Sequence, residues 1–209
     1  MSFIGVENIN KSFKGKPVLQ NISLTLKKGK CYGFVGNNGS GKSMLLKSIC
    51  GFIKIDSGTI NVDGKEIIGG RQFIENAGVL IESPTWMNHL TGFENLQLLA
   101  DIQRKISETD IKEILTLVGL IEAKDQKVRK YSLGMKQRLR IAQAIMEKPD
   151  VLVLDEPFNG LDKDGVSEMQ DLMVTYKAKG KTILLTSHDE RQIELLCDEV
   201  YELSGGRLV

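Results

Sequence analysis

The sequence predicts a mixed α/β domain over residues 1–209, with a parallel-sheet core, an antiparallel N-terminal β subdomain and an inserted α-helical subdomain over about residues 91–147. Three observations predict it. Residues 3–9 and 18–26 alternate apolar and polar side chains, as half-buried antiparallel strands do. Short, continuous apolar runs recur further on and are each followed by a helical pattern, as parallel strands with crossover helices require. Between them, residues 91–147 carry three helical periodicities and little strand signal.

Taken in order, the first two strands flank Lys14-Gly15-Lys16-Pro17, a turn composition. Cys31-Tyr32-Gly33-Phe34-Val35 has the texture of a buried strand, a glycine-rich loop follows, and residues 44–50 have helical apolar spacing. Residues 58–62, with Asp63-Gly64 behind them, form another strand and a tight turn, and residues 77–81 a further strand. Helical patterns cover residues 93–102, 108–118 and 133–146; Ser107-Glu108-Thr109-Asp110 supplies the second with a cap and early acids. The apolar runs 151–154 and 182–185 each precede a helix, and residues 198–203 close as a last strand. The sequence shows no internal repeat, low-complexity tract or long linker.

At 209 residues and 41% hydrophobic, the chain can bury one substantial core. Its 28 basic residues nearly cancel 27 acidic ones, so no global charge draws it to nucleic acid or to an anionic membrane. Cys31, Cys50 and Cys197 are odd in number and lack the close pairing of a zinc site; they are expected to be small buried hydrophobes in a reducing compartment. Residues 1–7 show neither a basic leader nor a sustained apolar stretch, and no window reaches the roughly 18 uncharged apolar residues of a membrane helix. A cytosolic location is expected, with any membrane-spanning part supplied by another chain.

Gly36-Asn37-Asn38-Gly39-Ser40-Gly41-Lys42-Ser43 has the spacing G-x-x-x-x-G-K-[ST] between a strand and a helix, the context in which that motif binds phosphates. Its glycines let backbone N–H groups turn inward around a phosphate chain, and the helix start adds its positive end. Lys42 can reach terminal phosphates, and the Ser43 hydroxyl suits a magnesium ion. The core is therefore of the P-loop NTPase type, with a mixed sheet.

Val151-Leu152-Val153-Leu154-Asp155-Glu156-Pro157 is an apolar strand that ends in two acids. Asp155 stands where a second magnesium contact would come from, and Glu156, one residue on, can orient or deprotonate an attacking water. Thr186-Ser187-His188 ends the next buried run and puts His188 within reach of a terminal phosphate, whereas His89 belongs to an exposed loop.

With these residues in place, the sequence resembles the nucleotide-binding domains of ABC transporters over essentially its whole length. Tyr131-Ser132-Leu133-Gly134-Met135-Lys136-Gln137-Arg138-Leu139 looks like the family signature that precedes a long helix, with Ser132 and Gly134 keeping the pattern and Leu133 and Met135 departing from it. The resemblance implies that this segment acts in trans, closing over the γ-phosphate held by a second subunit. Asn159-Gly160-Leu161-Asp162 resembles the D-loop of the dimer interface, with Asp162 at the shared site. Phe13 stands where an aromatic stacks on adenine; a core aromatic at a strand end is the alternative.

Glu82, in Ile81-Glu82-Ser83-Pro84, stands where most members carry a glutamine that touches magnesium and leads into the surface gripping the membrane subunit. With Trp86 and the run Asn88-His89-Leu90-Thr91-Gly92-Phe93-Glu94-Asn95-Leu96, it resembles the bacitracin-resistance and lantibiotic-immunity branch; neutral drift from glutamine is the alternative. The resemblance implies ATP and Mg2+ as cofactors, a homodimer or a heterodimer with a similar subunit on ATP binding, integral membrane permease subunits as partners, no nucleic acid, and a peripheral place on the inner face of the cell membrane. Non-transport ABC-type ATPases, an ATP-dependent regulatory clamp and a P-loop kinase are the rival readings. The first need paired domains or long coiled-coil insertions, the second would not need Lys42, Asp155, Glu156 and His188 together, and the third would have no purpose for the signature and D-loop matches.

Overall fold

The computed structural model describes residues 3–82 and 86–209. Ser83 and Pro84, singled out above beside Glu82, lie outside the described residues. β1 (Ile4–Phe13) and β2 (Lys16–Leu26) form a hairpin turned at Lys14-Gly15, both of which have positive φ, as a two-residue turn between twisted strands requires. β3 (Cys31–Val35) leads through the glycine-rich loop into α1 (Lys42–Ile49). β4 (Ser57–Val62) and the short β5 (Lys65–Glu66) complete an antiparallel sheet of order β2-β1-β4-β5.

β6 (Ala77–Leu80) is followed by α2 (Gly92–Gln103), α3 (Glu108–Leu117) and α4 (Leu133–Ile145), which make up the predicted helical insertion. Then come β7 (Val151–Leu154), α5 (Lys163–Ala178), β8 (Thr182–Thr186), α6 (Glu190–Leu196), β9 (Glu199–Ser204) and β10 (Arg207–Leu208). The second sheet has six strands in the order β10-β9-β3-β8-β7-β6, parallel throughout except for β10.

This sheet is buried on both faces, and successive side chains feed opposite cores. Leu152, Leu154, Ile183 and Leu185 pack with Leu96 of α2, Ile111 of α3, Ile141 of α4 and Met169 of α5. Val151, Val153, Leu184, Tyr32 and Phe34 pack on the other side with Ile4, Ile22 and Ile60 of the antiparallel sheet and Leu45 of α1. Each fully buried aliphatic side chain contributes about 2 kcal/mol. The central strands are thereby fixed from both sides, and the loops at their carboxyl ends inherit that rigidity. Among the described residues, no helix is long and apolar enough to cross a membrane.

The structure differs from the sequence-based expectation at the strand ends. β1 continues past Ile9 to Phe13 through irregularities in its pairing with β2, and these break the alternation on which strand recognition depends. Residues 198–203 do not end the sheet, because Gly205 and Gly206 turn the chain and β10 pairs antiparallel with β9. Cys31 and Cys50 are buried as expected; Cys197 is only partly so, and its Sγ lies 3.7 Å from that of Cys31.

Candidate functional site

Residues 36–41 bridge β3 and α1 under tight steric limits. Gly36 has φ 135°, and a Cβ there would stand 2.1 Å from the Leu203 carbonyl oxygen. Gly41, with φ 110°, would place a Cβ 2.9 Å from the Val18 carbonyl oxygen. Only glycine fits at either position. The amide of Ser40 donates to the Asn37 carbonyl at 3.0 Å, and the Ser40 carbonyl accepts from the Gly206 amide at 3.0 Å. The loop is thus closed on itself and tied to the turn before β10.

α1 begins with no side-chain cap and no acid in its first turn, so its N-terminal N–H groups and positive dipole end remain available to an anion. Lys42 is buried, and its Nζ donates to the carbonyls of Gly36 at 2.6 Å and Asn37 at 3.2 Å. The Ser40 hydroxyl is buried without a hydrogen-bond partner among the described residues. A buried orphan of this kind costs about 1–3 kcal/mol, and a phosphate oxygen in the loop would satisfy it.

Strand order brings the acids to this loop. β8 lies between β3 and β7, so the ends of all three strands meet. Thr186, wholly buried at the end of β8, donates through Oγ1 to Asp155 Oδ1 at 2.7 Å and accepts from the Glu156 amide at 2.9 Å. Glu156 has φ 49°, a left-handed conformation uncommon for a residue with a side chain, and the Thr186 bond helps to hold it there. Its Oε2 lies 2.9 Å from Nδ1 of the exposed His188, within hydrogen-bonding distance. Asn38, Gly39, Gly41, Lys42, Ser43, Asp155 and Glu156 line one cavity of about 210 Å³. A larger groove of about 830 Å³, between the helical insertion and β6, carries none of these groups.

The remaining sequence-derived candidates stand apart from this cavity. Phe13 ends β1 with 45% of its surface exposed and Lys11 Nζ 4.9 Å from its ring centroid, so it is a surface aromatic and not a core one. Ser132 is the exposed N-cap of α4, its Oγ accepting from the Met135 amide at 3.1 Å, and Gly134 packs against the Gly160 carbonyl. Asp162 caps α5 by accepting from the Gly165 amide at 2.9 Å. Glu82 is exposed with φ 62°; its carboxylate pairs with Lys47, and its carbonyl accepts from Arg140. It is not brought to Ser43 and Asp155.

Magnesium fits the donor set. Ser43 and Asp155 offer hard oxygens to the same cavity, and among the described residues no three acids, histidines or cysteines form a preformed cage. A cation that takes few protein oxygens and completes its shell from phosphates and water suits such a site. The sequence reading gives no role to Thr186, Gln137, Arg140 or Lys47. A hydroxyl at a strand end beside His188, and polar residues three apart on an otherwise apolar helix face, are the only signals it holds for the first three.

A family profile described as ABC transporter matches residues 19–159. The ABC transporter ATP-binding protein YybJ of Bacillus subtilis (strain 168) is 43% identical over 205 residues, covering 98% of this chain and 94% of its own. The bacitracin transport ATP-binding protein BcrA of Enterococcus faecalis is 39% identical, covering 99% and 68%, and the lantibiotic transport ATP-binding protein SrtF of Streptococcus pyogenes is 34% identical, covering 98% and 88%. A solved structure described as the ATP-binding subunit of an ABC transporter is 28% identical and superposes with a TM-score of 0.87 over 99% of this chain and 88% of its own.

Proposed function

The chain belongs to the ABC transporter family as an ATP-binding, ATP-hydrolysing subunit, and from that premise we propose how its residues divide the work and what it works with. The observation that carries the proposal is the convergence of Lys42, Ser43, Asp155 and Glu156 on one cavity beside a buried Ser40 hydroxyl that has no partner among the described residues.

Backbone amides of residues 36–43 and the start of α1 cradle the phosphates, while Lys42 exchanges the Gly36 and Asn37 carbonyls for the terminal phosphates. Ser43 and Asp155 would hold magnesium, which when bound neutralises charge on the phosphate oxygens. Glu156 orients the attacking water and accepts its proton. His188 steadies that carboxylate by donating from Nδ1, and with its ring doubly protonated it would also donate from Nε2 to the γ-phosphate. Phe13 offers its exposed ring to adenine. Glu82 serves the metal side as a ligand or a water-positioning group, reached from its place on Lys47.

Ser132, Gly134 and Asp162 lie away from the cavity of their own chain, which supports a role over the nucleotide of a second subunit. Two copies, or one copy and a similar subunit, would then sandwich two ATP molecules head to tail. Integral membrane permease subunits would take up the closing and opening through the segment from Glu82 to Leu90, placing this chain on the cytoplasmic face. The names of BcrA and SrtF support a peptide antibiotic as the transported substrate.

Calorimetric titration with ATP tests the phosphate loop. Lys42→Ala should weaken binding about 10–100-fold, the range for losing charge-assisted hydrogen bonds, and should stop phosphate release. An unchanged affinity would remove the assignment. Restoring a permease in membranes and measuring protection against bacitracin or a lantibiotic tests the substrate class, with no protection counting against it.

A further inference from the structure

Glu82 is held at two points by cations from different parts of the fold. Its carboxylate pairs with the ammonium of Lys47 on α1, and its carbonyl oxygen accepts a hydrogen bond from Nη2 of Arg140 on α4. Arg140 also donates through Nη1 to Gln137 Oε1 at 2.8 Å, and Gln137 Nε2 donates to the carbonyl of Pro157, the residue after Glu156. Burial pulls the Arg140 guanidinium below its ordinary range, and the charge of Asp155 opposes that shift. Residue 82 is therefore tied both to the helix that follows the phosphate loop and to the helix that begins at Ser132.

Lys47 lies four residues after Ser43 on α1, hence on the same helix face, one turn further from the phosphate loop. Its side chain is 19% exposed and that of Glu82 is 72% exposed, so the ammonium is packed in place and the carboxylate comes to it from the solvent side. Such a pair adds little to stability. Its effect is to decide where the carboxylate sits, because an ammonium and a hard divalent cation compete for the same oxygens.

We infer that Lys47 is a positioning residue that competes with the divalent cation for the Glu82 carboxylate, so that Glu82 reaches the metal side only by leaving Lys47. The inference rests on the ATPase reading above. It makes the strength with which the site holds its metal depend on a residue that does not line the cavity, and it links that strength to the start of the segment proposed to meet the permease.

The test is a manganese titration followed by electron paramagnetic resonance. The chain is kept in excess over a non-hydrolysable ATP analogue, whose own binding is first measured by calorimetry. Lys47→Met should tighten manganese about fivefold, the most that an exposed pair of this kind is worth, while Lys47→Arg should leave it near the wild-type value. In a Glu82→Gln background, Lys47→Met should have no effect. An equal tightening in that background would mean that Lys47 acts on the metal by charge alone, and no tightening in either would mean that it does not compete; both results overturn the inference. Failure of the wild-type chain to bind the analogue would instead overturn the ATPase reading and this inference with it.

Discussion

Thr186 makes two hydrogen bonds with one buried oxygen, donating to Asp155 and accepting from the backbone of Glu156. It thereby sets the relative positions of the expected metal contact and the expected base. Thr186→Val keeps the shape and the β-branching but leaves the Glu156 amide unpaired and removes the donor that aims Asp155. The expected cost in urea unfolding is about 1–3 kcal/mol. Because the phosphate loop is untouched, ATP affinity should stay within a few-fold of the wild type while the turnover number falls at least about tenfold. Calorimetry and phosphate release measure the two quantities separately. A normal turnover number would show that the threonine only packs. The placing of Lys42, Asp155, Glu156 and His188 beyond the ends of β3, β7 and β8 was legible in the sequence because each follows a recognisable buried strand. The role of Thr186 was not, since it depends on β8 lying between β3 and β7, and strand order leaves no trace in local periodicity.

At the scale of elements, legibility followed the strength of local signals. α3 begins where Ser107-Glu108-Thr109-Asp110 places it, with a reciprocal capping box: Ser107 Oγ accepts from the Asp110 amide, and the Asp110 carboxylate accepts from the Ser107 amide. β5 and β10 have two residues each, too short for any period to register. The Lys47 to Glu82 pair joins elements that the sequence keeps 35 positions apart, and no spacing rule reaches across that gap. The capping box itself gives a prediction. Ser107→Ala should cost about 1 kcal/mol in urea unfolding. Lys148 and the two Ser107 donors hold the Asp110 carboxyl well below the usual carboxylate range. A depressed folded value means that its stabilisation is complete above the ordinary pKa of 3.8 and fades as the pH falls through the lower folded value. Asp110→Asn should therefore be less stable than wild type at pH 7, and the gap should close on acidification below about pH 4. A gap that stays constant down to pH 2 would mean that the carboxylate charge is not what matters at this cap.

For the whole molecule, the two-faced sheet decides which of the candidate residues share a cavity. Its strand ends gather the phosphate loop, the acids and His188, while the N-terminus of α4, with the exposed Ser132, belongs to the helical insertion and stands off that cavity. The motif spacing singled out both groups of candidates, but their separation within one subunit is visible only in three dimensions. If the groups meet between subunits, slowing hydrolysis should trap the meeting. Glu156→Gln keeps the side-chain shape and its possible hydrogen bond to His188 but cannot take a proton from water, so it should bind ATP and magnesium, release no phosphate and elute as an ATP-dependent dimer. Adding Ser132→Arg places a bulky cation at the start of α4. That double variant should still bind ATP as a monomer, with the dimer lost. Ser132→Thr in the same background controls for the helix cap, since threonine retains the capping hydroxyl, and it should dimerise. A dimer that forms as readily with arginine as with serine would place the subunit interface elsewhere, and a Glu156→Gln chain that stays monomeric at saturating ATP would remove the shared-site arrangement altogether.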